Sequence, residues 1–138
     1  MRTKIYLIDI DGDGFHVAVK GKVNGMKALF LIDTGASRSV FDPVTISRYI
    51  NDLHLEKKEG MTAGVGGSDL ESSTFVIKEL QIGRLTINDF EAVALDLSNI
   101  KDYYSNLHLP PITGIIGGDI LAAHKAIINY KSLTLTIS

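Results

Sequence analysis

The chain has 138 residues, 45% of them hydrophobic and 22% charged, which suffices to close one globular core but not two, so a single domain over 1–138 is expected. Its 14 Lys and Arg stand against 16 Asp and Glu, a formal net charge of -2 with no basic run, and this argues against a nucleic-acid partner. Cys is absent, which excludes a disulfide framework, thiolate zinc and iron–sulfur sites and a cysteine nucleophile.

From the start of the chain, residues 1–14 carry Asp9, Asp11 and Asp13 where a signal peptide needs an uncharged stretch. No apolar run approaches the ~20 residues of a membrane span. A soluble, cytoplasmic protein with no membrane partner is therefore expected. Strand patterns cover 5–10 and 15–19, where Phe15, Val17 and Val19 face one way and His16, Ala18 and Lys20 the other. Asn24-Gly25 then separates Val23 from the run 26–32, and this dipeptide predicts a two-residue hairpin because both residues tolerate positive φ. The second strand of that hairpin is apolar on both faces, as an interior strand is. It leads directly into Asp33.

Asp42-Pro43 supplies an N-cap and a proline at the first helical position, and Ile46, Tyr49, Ile50 and Leu53 follow at helical spacing, predicting a short helix that ends near His54. The stretch 56–73 is charged, then glycine-rich, and reads as a loop. Strands are predicted over 74–82 and 85–95. A second amphipathic helix carries Ile100, Tyr103, Tyr104 and Leu107 and stops before Pro110-Pro111. A helical turn at 118–124 and strands at 126–130 and 133–137 complete a mostly β chain with two or three short helices.

Several motifs fail on inspection. Residues 9–14 copy the opening of a calcium-binding loop, but the twelfth position is Lys20 where a bidentate Glu is needed. An Asp/Gly turn between strands is the better reading. Gly64-Val65-Gly66-Gly67 lacks the Lys-Ser/Thr of a phosphate-binding loop and suits the tip of a β-hairpin. His16, His54, His108 and His124 show no metal-ligand spacing, so no metal is expected. Ser37 has no nucleophile elbow around it. Asp33, in Phe30-Leu31-Ile32-Asp33-Thr34-Gly35-Ala36-Ser37, is either a turn cap or a functional carboxylate at the end of an apolar strand.

About eighty residues later comes Ile115-Ile116-Gly117-Gly118-Asp119-Ile120-Leu121. Taken in order with the Asp-Thr-Gly-Ala segment and the glycine-rich stretch, this resembles the retropepsin-like aspartic proteases, over residues 15–137. Asp96-Leu97-Ser98 and the run from Pro110 to Gly117 are similar to bacterial members. Two departures stand out: Ser37 and Gly118 occupy positions where retroviral enzymes carry an Asp and an Arg that buttress the dimer. Asn129-Tyr130 also replaces a usual Asp-Tyr.

The resemblance implies a closed β-barrel and aspartic endopeptidase activity without a cofactor. Peptide hydrolysis by carboxylates takes two of them sharing a proton, and a chain with one Asp-Thr-Gly would supply them from a homodimer. Catalysis is then assigned to Asp33, Thr34 and Gly35. An extended peptide would contact Ala36, Ser37, Ile116 and a flap over 62–73 tipped by Gly64, Val65, Gly66 and Gly67. Gly117 would let its strand pack closely behind Asp33. Two readings of other classes stay open, a catalytically silent module that dimerises or binds peptides and a small all-β ligand-binding barrel.

Overall fold

Asn24 and Gly25 have φ of 49° and 82°, the left-handed pair that a two-residue hairpin turn requires. They join β2 (Phe15–Val23) to β3 (Met26–Ile32), with Val23 facing Met26 and Ala18 facing Leu31. On the other side of β2 lies β1 (Arg2–Asp9), antiparallel, with Leu7 opposite Val17. The intervening Asp/Gly stretch is a tight turn in which the Gly12 amide donates to Asp9 Oδ1 at 2.8 Å.

The computed structural model describes residues 1–57 and 73–138. Beyond β3 come β4 (Val40–Phe41), α1 (Pro43–Ile46), β5 (Glu56–Lys57), β6 (Ser73–Ile82) and β7 (Leu85–Ala94). They are followed by α2 (Ser98–Asn106), β8 (Gly114–Ile116), α3 (Gly118–Ala123), β9 (Ile127–Asn129) and β10 (Thr134–Thr136). The predicted glycine-rich tip, Gly64, Val65, Gly66 and Gly67, lies outside the described residues.

The strands run β6-β7-β4-β8-β3-β2, and a further pairing of β2 with β6 closes these six into a barrel. Closure brings Gly21 against the Gln81 carbonyl, where a Cβ would stand 1.9 Å from the oxygen; only a residue without a side chain fits there. From β2 the sheet continues outward through β1 and β10 to β9. Two of the barrel pairings are parallel, β3 with β8 and β4 with β7.

Alternation along β2 and β3 divides the apolar residues between two cores. Val17, Val19, Val23 and Phe30 point into the barrel with Phe41, Ile77, Leu80 and Ile116. Ala18 and Leu31 point outward, where they are covered by Tyr104 of α2, Ile112, Ile8 and Ile10. Helix α2 forms where predicted, and Ile100 and Leu107 pack beside Tyr104. The helix expected to run to His54 does not. Asp42 caps it as foreseen, but α1 stops at Ile46, and the Ser47 hydroxyl then donates to the Val44 carbonyl at 2.6 Å. Turns carry the chain on to Asp52, whose φ of 55° no helix continues. Tyr49, Ile50 and Leu53 still pack against the core, which accounts for their periodicity. Among the described residues no helix is long and apolar enough to cross a membrane.

Candidate active site

Strand β3 ends at Ile32, and the next amide, that of Asp33, donates to the Ile116 carbonyl at 2.9 Å, prolonging the parallel pairing with β8. Asp33 is thereby fixed at the end of a strand while its side chain emerges into an exposed turn. The Gly35 amide donates to Asp33 Oδ1 at 2.9 Å, and the Ala36 amide to the Asp33 carbonyl at 3.2 Å. Asp33 Oδ2 has no hydrogen-bond partner among the described residues. Thr34, Gly35 and Ser37 are exposed, and Ala36 is half-buried.

The turn is clamped to the chain entering α3. Gly118 N–H donates to the Ala36 carbonyl at 2.7 Å and Asp119 N–H to the Ser37 carbonyl at 3.1 Å. Gly117 permits the approach: a Cβ there would lie 2.7 Å from the carbonyl oxygens of both Ala36 and Arg38. The fully buried Ser39 completes the clamp. Its hydroxyl donates to Asp119 Oδ1 at 2.7 Å and accepts from the Gly117 amide at 2.9 Å, while its own amide donates to Asp119 Oδ2 at 3.0 Å. Arg38 Nε lies 3.5 Å from Asp119 Oδ2, and its guanidinium also reaches Glu91 at 3.7 Å.

Beside Asp33 is a cavity of about 280 Å³ between the ends of β2 and β3 and helix α2, lined by His16, Leu31, Asp33, Ile100, Ile115 and Tyr130 among others. The pairing of β2 with β3 ends at Ala18 and Leu31, and His16 and Asp33 both line the cavity beyond it. His16 Nδ1 lies 2.6 Å from the Tyr104 hydroxyl, the two rings stacked at 5.8 Å. Burial pushes the Tyr104 phenol up to about 12, so it stays neutral and offers the imidazole a proton to accept or an oxygen to donate to.

Of the residues assigned from the sequence, the structure gathers Asp33, Thr34, Gly35, Ala36 and Ser37 in one turn. Ile116, expected to touch substrate, is instead only 1% exposed and belongs to the barrel core. Alternation on β8 turns its neighbour Ile115 toward the cavity. His16 lines the same cavity without belonging to any sequence motif. Ser39 and Asp119 carried no signal beyond their place beside the two motifs.

A family model described as aspartyl protease matches residues 19–120. The chain belongs to the aspartyl protease family. The matched segment holds both halves of the clamp, from β2 through the Asp33 turn to the first residues of α3. Among solved structures, the chain resembles a retropepsin-like aspartic protease from Rickettsia conorii at 17% identity, with a TM-score of 0.62 over 99% of this chain and 88% of that one. It also resembles the retroviral protease-like domain of Ddi1 from Leishmania major at 21% identity and a TM-score of 0.57, covering 88% and 86% of the two chains. The EIAV protease complexed with the inhibitor HBY-793 aligns at 20% identity with a TM-score of 0.51, over 77% and 85%. No curated protein matches the chain. The fold is thus retropepsin-like, as the sequence motifs imply.

Proposed function

We propose that this aspartyl protease family member is an endopeptidase whose catalytic dyad consists of Asp33 from each of two copies. The observation that carries the reading is the state of Asp33: anchored by backbone bonds at the end of β3, with Oδ1 held by the Gly35 amide and Oδ2 without a partner among the described residues. One carboxylate alone does half the chemistry. With two across a two-fold axis, like-charge repulsion keeps one proton on the pair. The ionised member takes a proton from a water lying between them, and the protonated member hydrogen-bonds to the scissile carbonyl. Water oxygen bonds to the carbonyl carbon, the C–N bond breaks, and the departing nitrogen receives a proton from the dyad.

Thr34 braces the two turns against each other in this scheme, Gly35 admits the substrate backbone, and Ala36 and Ser37 flank it. The stretch with Gly64, Val65, Gly66 and Gly67 covers the peptide as a flap. Ile115 rather than Ile116 provides the apolar wall, because Ile115 borders the cavity that Asp33 shares. No cofactor takes part.

Sedimentation and peptidase assays over one dilution series test the reading, and dimer and activity should disappear together. A fully active monomer overturns the shared dyad. A stable dimer that cleaves no member of a peptide library between roughly pH 4 and 7 supports the silent peptide-binding module instead.

A further inference from the structure

A groove of about 740 Å³ on the outer face of β1, β2 and β3 is lined by Lys4, Lys20, Lys22, Lys27 and Arg84 and, among the described residues, by no Asp or Glu. These are five of the chain's 14 cations in a molecule of net charge -2. None has a carboxylate partner among the described residues. Lys22 and Lys27 are directly opposite one another on β2 and β3, and a like-charge cross-strand pair opposes sheet formation. The ammoniums of Lys4 and Lys20 both sit over the Tyr6 ring, at 5.1 and 4.9 Å from its centroid. Folding alone gives no reason to gather repelling charges here. Their common field attracts an anion.

The rest of the lining narrows the partner. Leu29, Pro110 and Pro111 give the groove an apolar floor, suited to the methylene stems of glutamates and the side chains between them. Nucleic acid fits less well. Its backbone would run from the groove onto a surface where nine cations face 16 acids, and its bases would find Tyr6 already covered by two ammoniums and the Tyr49 hydroxyl engaged with the Lys27 carbonyl at 3.0 Å.

Residues 27, 29 and 31 alternate along the face of β3 that leads toward Asp33, roughly 20 Å from Lys27 at the usual strand rise. Helix α2 and Ile112, which cover Leu31, stand between the groove and the cavity beside Asp33. We infer that this groove is an exosite for a glutamate- or aspartate-rich polypeptide segment, which selects protein substrates by a feature away from the scissile bond. The role in substrate choice rests on the protease reading; binding of the acidic segment does not.

Fluorescence anisotropy on the full-length Asp33→Asn protein separates the two, because binding is read without hydrolysis. The probe is a labelled Glu-rich peptide, with its Gln counterpart and a single-stranded oligonucleotide of equal charge as comparators. The Glu-rich peptide should bind best and weaken with salt. Lys22→Glu with Lys27→Glu should weaken it roughly ten-fold or more while leaving the Gln peptide unaffected. Lys22→Gln with Lys27→Gln should give a smaller loss in the same direction, and melting curves confirm that each variant is folded. Equal binding of Glu and Gln peptides, tighter binding of the oligonucleotide, or no change in both variant pairs overturns the inference. In otherwise wild-type protein, the Gln pair should raise KM for a substrate bearing a distant acidic stretch and leave cleavage of a short neutral peptide unchanged. Absence of all hydrolysis alongside intact acidic-peptide binding would refute the protease reading and retain the site.

Discussion

Asp33 and Asp42 sit at the two ends of one turn-and-strand segment and are treated oppositely by the fold. Asp42 is 3% exposed, and both of its oxygens are used: Oδ2 accepts from the Thr45 amide and the Lys101 ammonium, both at 3.0 Å, and Oδ1 from the Leu97 amide at 2.9 Å. Asp33 is exposed, and among the described residues its carboxylate accepts one hydrogen bond, from the Gly35 amide. Asp119, with both oxygens engaged by Ser39, resembles Asp42 in this respect. Saturated carboxylates bind parts of the chain together, whereas a carboxylate with one oxygen unpartnered among the described residues retains the capacity to bind water.

The contrast is broken most severely at Asp33. Asp33→Asn keeps the shape and the Gly35 bond but removes the base, so kcat should fall by roughly 100-fold or more. Melting temperature should hold or rise, since a dimer of this variant no longer brings two carboxylates together. Hydrolysis that persists in the variant would refute the mechanism; a large drop in melting temperature would place Asp33 with Asp42 as a structural acid.

At the clamp, stability and activity should fall together. Gly117→Ala drives a methyl to within 2.7 Å of two carbonyl oxygens, and overpacking of this kind costs about 1–3 kcal/mol. Ser39→Ala leaves the buried Gly117 amide without its acceptor and removes the hydroxyl donor to Asp119 Oδ1, which keeps the Ile120 amide, again about 1–3 kcal/mol. Denaturant melts give the stability loss. Steady-state kinetics should show kcat reduced more than KM raised, because the Asp33 turn moves relative to the reacting bond. Unchanged kinetics in a destabilised Ser39→Ala protein would mean that the clamp holds the fold and not the site.

Much of this was legible because it depends on local chemistry. Asn24-Gly25 specifies its hairpin by backbone conformation, α2 its apolar stripe by period, and the two motifs their glycine-dependent approach. What escaped depends on pairing between distant segments. The two residues of β4 become a strand only because β7 and β8 flank them. The periodicity of Tyr49, Ile50 and Leu53 records packing on the barrel, not a continuous helix. Which of Ile115 and Ile116 faces the cavity is a matter of strand register, invisible in a run apolar on both faces. The clamp joins Ser39 to Asp119 across 80 residues, and neither has a distinctive local pattern.

An effect on stability alone is expected at Asp42, and it should depend on pH. Burial opposes ionisation there, but the Leu97 and Thr45 amides and the Lys101 ammonium outweigh it and hold the carboxyl below its ordinary value. A carboxyl whose folded value is depressed contributes stability that is fully present above its unfolded value, near 4, and is lost as pH falls through the folded one. Asp42→Asn keeps one acceptor oxygen and turns its NH2 toward donors, either the Leu97 amide or the Thr45 amide with the Lys101 ammonium, which should cost about 1–3 kcal/mol at neutral pH. Chemical denaturation of both proteins from pH 7 down to about 2 isolates this term, because every other titrating group is common to the pair. The gap between them should narrow below about pH 4, as the wild-type carboxyl takes up its proton. A gap constant over that range would mean that shape at the cap, rather than the charge shared with Lys101, is what Asp42 contributes.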